Sequence, residues 1–129
     1  MEKLVINWID YIKLINILAE KIRLYKQDFS GIIGVTRGGL IPAVLLSHKL
    51  NLPMLNVEGL YRQKVLLVDD VSDTGKTLQE YSKKIHGFGS DVVVATLHMK
   101  PHTEVTPHFY VEVVPDNVWL IYPYEEEVK

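Results

Sequence analysis

One stretch near the middle of the chain leaves little choice of fold: Val65-Leu66-Leu67-Val68-Asp69-Asp70-Val71-Ser72-Asp73-Thr74-Gly75-Lys76-Thr77-Leu78. Its opening run is uniformly apolar and too short for a helix, as a parallel strand buried on both faces requires. Two adjacent carboxylates follow, where such a strand is expected to end and leave the core. Ser, Asp, Thr, Gly and Thr come next, all able to offer hydroxyls, caps or bare backbone N–H groups. From Lys76 to Ile85 the apolar spacing of Leu78, Tyr81 and Ile85 turns helical. A strand, a tight polar loop and a helix N-terminus make an anion cradle. Two carboxylates beside it can accept hydrogen bonds from sugar hydroxyls. The combination points to a phosphorylated sugar.

Two other phosphate motifs are excluded. Gly75-Lys76-Thr77 looks like the end of a P-loop, but the first glycine of that motif would fall at Asp70. No G-x-G-x-x-G occurs, so the dinucleotide fingerprint is absent. Plain helix capping would need one or two polar residues, not the whole series.

A second strand–loop–helix precedes the first. Ser30–Val35 reads as a short buried strand, Thr36-Arg37-Gly38-Gly39 as a polar loop, and Leu40 onward as a helix with Pro42 well placed in its first turn. Paired glycines let the backbone approach a ligand, and Arg37 adds a fixed positive charge. Taken alone the loop is a weak signal. Two such loops at strand C-terminal ends would meet in one crevice of a parallel sheet.

Elsewhere the pattern predicts a sheet-covering helix over about 7–26 with Asn7 as its cap, a strand at Leu52–Val57, and a helix stop at Gly87-Phe88-Gly89. Asp91–Leu97 reads as a buried strand, Phe109–Val114 as an edge strand, Val118–Tyr124 as a final apolar segment, and Glu125–Lys129 as a solvated tail. His98 and His102 are four apart, but Pro101 between them argues against one helix face presenting both to a metal. No G-x-S-x-G elbow supports a Ser-His-Asp hydrolase.

Composition narrows the function classes. The 129 residues fit one domain spanning 1–129, and 47% hydrophobic with 23% charged residues is ordinary for a globular protein. A net charge of −2 gives no case for a nucleic-acid binder or for attachment to an anionic membrane. Without cysteines there are no disulfides or thiolate metal sites, which suits a reducing, cytoplasmic setting. No signal-peptide core or membrane-length apolar run is present.

The central stretch resembles the phosphoribosyl pyrophosphate (PRPP) motif of type I phosphoribosyltransferases: apolar residues, two acids, an acid three residues on, then Thr-Gly-x-Thr. Thr36–Gly39 resembles that family's pyrophosphate loop. Met99-Lys100-Pro101, Asn117-Val118-Trp119-Leu120 and Tyr122-Pro123-Tyr124-Glu125 look like the xanthine-guanine subgroup. The resemblance implies an α/β fold with a central, mostly parallel sheet flanked by helices and a small C-terminal hood over the base. It implies transfer of a phosphoribosyl group from PRPP to a 6-oxopurine (guanine, xanthine or hypoxanthine), giving a nucleoside 5′-monophosphate and pyrophosphate.

The same resemblance assigns roles by residue. Asp69 and Asp70 would hold the ribose hydroxyls and lie near Mg²⁺, stabilising the cationic ribose. Asp73, Thr74, Gly75, Lys76 and Thr77 would cradle the 5′-phosphate, and Asp73 would take the proton released by the purine. Thr36, Arg37, Gly38 and Gly39 would bind pyrophosphate. Lys100 would meet the 6-oxo group, Trp119 would stack on the base and Leu120 would offer backbone contacts. By itself Trp119 reads better as a core tryptophan, and Lys100 as a solvated charge. A homodimer or higher homo-oligomer is implied as well.

One departure stands out. Family members carry a long flexible loop that closes over PRPP, but only Glu58-Gly59-Leu60-Tyr61-Arg62-Gln63 separate Val57 from Lys64. An open mouth is therefore expected unless Tyr61 and Arg62 or a second subunit cover it. The outcome is a slow enzyme, cover borrowed from a neighbour, or a protein that binds nucleotides or PRPP without turnover; transfer to another base also stays open.

Overall fold

The computed structural model describes residues 2–125. In chain order its elements are β1 (Glu2–Val5), α1 (Trp8–Arg23), β2 (Gly31–Gly34), α2 (Leu40–Leu50), β3 (Lys64–Ser72), α3 (Lys76–Gly87), β4 (Asp91–Met99), β5 (Glu112–Val113) and β6 (Val118–Ile121). A four-stranded sheet runs in the order β2-β3-β4-β5, and β1 pairs with β6 in a sheet of two. Every pairing is parallel. The α/β architecture with helices on a parallel sheet is as the sequence predicts.

The period-two geometry of β3 explains the layering. Val65 and Leu67 enter the core under α3 with Leu78 and Ile85, whereas Leu66 and Val68 enter the opposite core with Ile15, Leu18 and Ile22 of α1 and Leu46 of α2. All four β3 residues are fully buried. Burying each such side chain contributes about 1.5–3 kcal/mol. Asn7 caps α1 as expected, its Oδ1 accepting from the Asp10 amide at 2.8 Å.

Two expectations need correction. The carboxylates do not end the central strand: β3 runs on to Ser72, with Val71 opposite His98 and Ser72 opposite Met99. The ladder persists because β4 is equally long. Second, Leu52–Val57 is not a strand but a single bridge, Met54 beside Ile32, followed by a 3₁₀ turn at Val57–Gly59. Pro53 has no N–H, so only the Ile32 N–H to Pro53 C=O and Leu55 N–H to Ile32 C=O bonds form. At the C-terminal portion, β1 supplies the partner of β6, so the first strand of the chain joins the last.

The expected edge strand over Phe109–Val114 shrinks to β5 and a bridge between Phe109 and Ala95. Of the tail, residues 126–129 lie outside the described residues. Among the described residues no helix is long and apolar enough to cross a membrane.

Candidate active site

Parallel strands bring their C-terminal ends to one side of the sheet, and the polar loops gather there. Behind β3, Gly75 adopts φ +89°, a left-handed conformation that only glycine takes without strain. A Cβ there would also lie 2.9 Å from Thr103 Oγ1. α3 begins at the next residue with no side-chain hydrogen bond from its N-cap, although Thr74 Oγ1 accepts from the Lys76 amide at 3.3 Å. The Thr77 and Leu78 amides, among the first of the helix, lack intrahelical acceptors. Asp69 and residues 71–78 line a small cleft of about 80 Å³ around them.

The segment after β4 folds back onto this loop. Lys100 N–H donates to Ser72 C=O (2.9 Å), Glu104 N–H to Thr74 C=O (3.0 Å), and the Ser72 hydroxyl lies 2.7 Å from that of Thr103. The fold-back delivers an ammonium and an imidazole to Asp73. Lys100 Nζ, on a nearly buried side chain, is 3.3 Å from Asp73 Oδ2. His102 Nε2 is 2.6 Å from Asp73 Oδ1, and its Nδ1 is 2.8 Å from Asp116 Oδ1 in the β5–β6 connection. Partial burial alone would push the Asp73 carboxyl up. The hydrogen bonds from His102 and Lys100 and their charges outweigh it and hold the group below the usual carboxylate range.

The loop between β2 and α2 is built differently. A Cβ on Gly38 would stand 2.5 Å from Asp70 Oδ2, and one on Gly39 would press into the backbone carbonyls of Val68 and Val35. Both glycines therefore serve close packing against β3. The Thr36–Arg37 peptide is cis. Thr36 is fastened through its N–H (3.2 Å) and hydroxyl (3.0 Å) to the Tyr81 phenol of α3. Arg37 is exposed, and with Gly38, Ile41, Tyr124 and Glu125 it lines an open cleft of about 600 Å³.

Between the loops sit the paired acids, both half-buried. Asp69 Oδ1 accepts from the Asp70 amide and Asp70 Oδ1 from the Val71 amide, each at 2.8 Å. Burial, and then the neighbouring Asp70 charge, push the Asp69 carboxyl well above the carboxylate range. The Tyr124 phenol donates to Asp70 Oδ2 at 2.9 Å and reaches Gly38 C=O at 3.4 Å. Its own pKa is raised by burial and by Asp70, so it stays a donor. Tyr122 stacks on Tyr124 (5.7 Å, 5°) and donates to Asp70 C=O at 3.1 Å. The C-terminal segment thus walls the acid pair on one side.

The phosphoribosyl transferase domain family matches residues 55–128, more than half of the chain. The chain belongs to that family. A purine phosphoribosyltransferase from Pyrococcus horikoshii Ot3 has a TM-score of 0.89 at 37% identity, covering 100% of this chain and 98% of that one. A xanthine-guanine phosphoribosyltransferase of Chromohalobacter salexigens is 29% identical over 80% of this chain and 73% of its own length. A second, from Desulfotalea psychrophila, is 26% identical over 81% and 75%. The Helicobacter pylori xanthine-guanine-hypoxanthine phosphoribosyltransferase shares the fold, with a TM-score of 0.79 at 15% identity over 92% of each chain.

Within this phosphoribosyltransferase the residues picked from sequence fall into three groups. Asp69, Asp70, Asp73, Thr74, Gly75, Lys76, Thr77 and Lys100 cluster around the β3–α3 loop. Thr36, Arg37, Gly38 and Gly39 meet that cluster through Gly38 and Asp70. Trp119 and Leu120 stand apart on β6, Leu120 buried and Trp119 38% exposed with the Lys3 ammonium 5.3 Å above its ring. Trp119 is thus not a core residue, and it lies three positions beyond Asp116, which does reach the cluster through His102.

Tyr61 and Arg62 do not cover the mouth. Gln63 bonds Ser90 and Asp91 at the start of β4, and Gly89 lies beside Arg62. That is the N-terminal end of the sheet, opposite the loops. Sequence reasoning also missed His102, Asp116, Tyr81 and Tyr124. Only Tyr124 carried a signal, as part of Tyr122-Pro123-Tyr124-Glu125.

Proposed function

We propose that this phosphoribosyltransferase transfers the phosphoribosyl group of PRPP to a 6-oxopurine. The observation carrying this reading is the Asp73–Lys100 pair, whose charged atoms stand 3.3 Å apart beside the phosphate cradle. A cationic donor next to a carboxylate acceptor complements a purine edge presenting a 6-oxo acceptor beside an imidazole N–H. Adenine presents an amino donor at that position and would face the ammonium with the wrong polarity. Asp73 accepts the imidazole proton on Oδ2 while Lys100 shifts to the 6-oxo oxygen.

The 5′-phosphate sits on the free amides at the start of α3 with the Thr74 and Thr77 hydroxyls. Asp69 and Asp70 receive the ribose hydroxyls, and Arg37 with the loop amides receives pyrophosphate. Trp119 offers its exposed indole face to the base. The acid pair also fits a divalent cation: two adjacent carboxyl groups, one pushed up by burial and then by the charge of the other, gain from a cation that lets both ionise. Mg²⁺ held by Asp69 and Asp70 would supply charge neutralisation for the departing pyrophosphate.

Protein, Mg²⁺ and PRPP are to be mixed with guanine, xanthine, hypoxanthine, adenine and uracil in turn, and mononucleotide measured. Turnover of 6-oxopurines alone is expected; turnover of uracil would overturn the reading. A second reading, binding without turnover, draws on one observation. The Glu58–Gln63 connection ends at the far side of the sheet, so it supplies no lid to exclude water. Mononucleotide binding with no transfer to any base would select it.

A further inference from the structure

We propose that His102, held by Asp116, is a positioning residue that aims the Asp73 carboxylate that receives the purine proton. The proposal rests on the reading of the site as a purine transfer centre. It adds residues that the phosphate motif does not contain.

Asp73 lies on the β3–α3 loop, which has no helix or strand of its own to fix a side chain. Three segments converge to do so. Asp116, from the β5–β6 connection, accepts both the His102 backbone N–H (3.0 Å) and approaches Nδ1 (2.8 Å) with the same oxygen, Oδ1. The imidazole is thereby pinned at its backbone and its ring. Nε2 then stands 2.6 Å from Asp73 Oδ1. Both ring contacts are hydrogen bonds when each nitrogen carries a proton, which makes the ring a cation between two carboxylates. Lys100 is the other charged group of the cluster, reaching Asp73 Oδ2 at 3.3 Å and Asp116 C=O at 3.4 Å.

The two oxygens of Asp73 are therefore divided. Oδ1 belongs to His102, and Oδ2 is shared with a lysine that a 6-oxopurine can draw away. In the transfer a ring nitrogen bonds to ribose C1′ and pyrophosphate leaves with the electron pair of the old C1′–O bond. The ring loses one proton, to Asp73 Oδ2. A carboxylate free to rotate would offer that oxygen in many directions; the His102 bond fixes one. Losing the imidazole also removes a hydrogen bond and a charge interaction that favour the ionised carboxyl, so Asp73 then protonates at higher pH.

The test uses the full chain as wild type, His102→Ala, His102→Gln and Asp116→Asn, each checked for an unchanged melting profile. In ¹³C-aspartate NMR titrations, assigned with Asp73→Asn, the Asp73 midpoint is expected to rise by about one pH unit in His102→Ala. A smaller rise is expected in Asp116→Asn. With saturating Mg²⁺, PRPP and hypoxanthine, the acid limb of kcat should move upward by a similar amount, while KM for the base changes less than about twofold. Glutamine, which can donate to Oδ1 without a charge, should restore part of kcat at neutral pH but leave the acid limb displaced. An Asp73 midpoint that does not move in folded His102→Ala overturns the inference whether or not the wild type turns over. A wild type that transfers to no base overturns the transferase reading instead. Turnover with an unmoved acid limb again overturns the inference.

Discussion

The two polar loops look alike in sequence, each a short buried strand, a glycine-bearing turn and a helix, yet the structure uses their glycines for different ends. In Thr36–Gly39 the glycines answer to neighbours: Gly38 makes room for Asp70, and Gly39 for the Val68 and Val35 carbonyls. In the β3–α3 loop Gly75 answers chiefly to its own backbone, at φ +89°. The first loop is thus clamped to the central strand and to Tyr81 of α3. The second keeps helix-start amides for a ligand. The first loop's glycines are packed like core and the second loop's glycine serves a backbone turn, which predicts that a methyl at Gly39 is read chiefly as stability, and one at Gly75 as strain together with weaker ligand affinity.

The largest effect should come from the acids between the loops. Asp69→Asn combined with Asp70→Asn removes charge facing the developing ribose cation, and transfer should fall by about 10³-fold in a folded protein. Unchanged kcat/KM would detach the acids from the chemistry. Next come the glycines. Gly39→Ala forces a methyl into strand backbone and should cost about 1–3 kcal/mol of stability, seen in the denaturation midpoint. Gly75→Ala carries backbone strain of about 1–3 kcal/mol and should also weaken PRPP binding in titration calorimetry. If instead Gly39→Ala spares stability and abolishes only PRPP binding, the contrast between the loops collapses.

Asp69→Asn alone sharpens the account from another side. A carboxyl whose folded pKa is raised loses stability for the protein as pH climbs from its unfolded value through its folded one. The variant should therefore melt above wild type at pH 8 and converge with it near pH 3. The same difference at both pH values would contradict the assignment of burial and Asp70 as the cause. Trp119→Ala should cost about 1–3 kcal/mol of base binding and leave PRPP affinity unaltered; equal losses would make the indole structural. Smallest of all, Tyr61→Ala at the far end of the sheet should leave kcat/KM for PRPP unchanged, and a loss there would revive it as a cover.

The legible parts of this molecule are the local ones. β3, the anion loop and the start of α3 lie in one continuous stretch, so hydrophobic period and turn chemistry were enough to read them. Lys100 was legible only through the resemblance of Met99-Lys100-Pro101 to the xanthine-guanine subgroup, since by itself it reads as a solvated charge. β1 was not: its residues are all exposed, so no buried period marks it, and its partner β6 is at the other end of the chain. The strand extension through Asp69 and Asp70 was hidden because carboxylates read as an exit from the core. Here they satisfy neighbouring amides instead. His102 and Asp116 were invisible for a third reason. They join Asp73 only after two loops close, and nothing in the spacing of residues 73, 102 and 116 marks that meeting.

In the proposed function, Lys100 and Asp73 select a 6-oxopurine at the phosphate cradle. Hypoxanthine and adenine share the same ring and differ at the 6-position, so their relative kcat/KM with PRPP and Mg²⁺ tests that claim most directly. A site that pairs an ammonium with the 6-oxo oxygen predicts a preference for hypoxanthine of more than about 100-fold, collapsing toward unity in Lys100→Ala. Equal use of adenine by the wild type would contradict it.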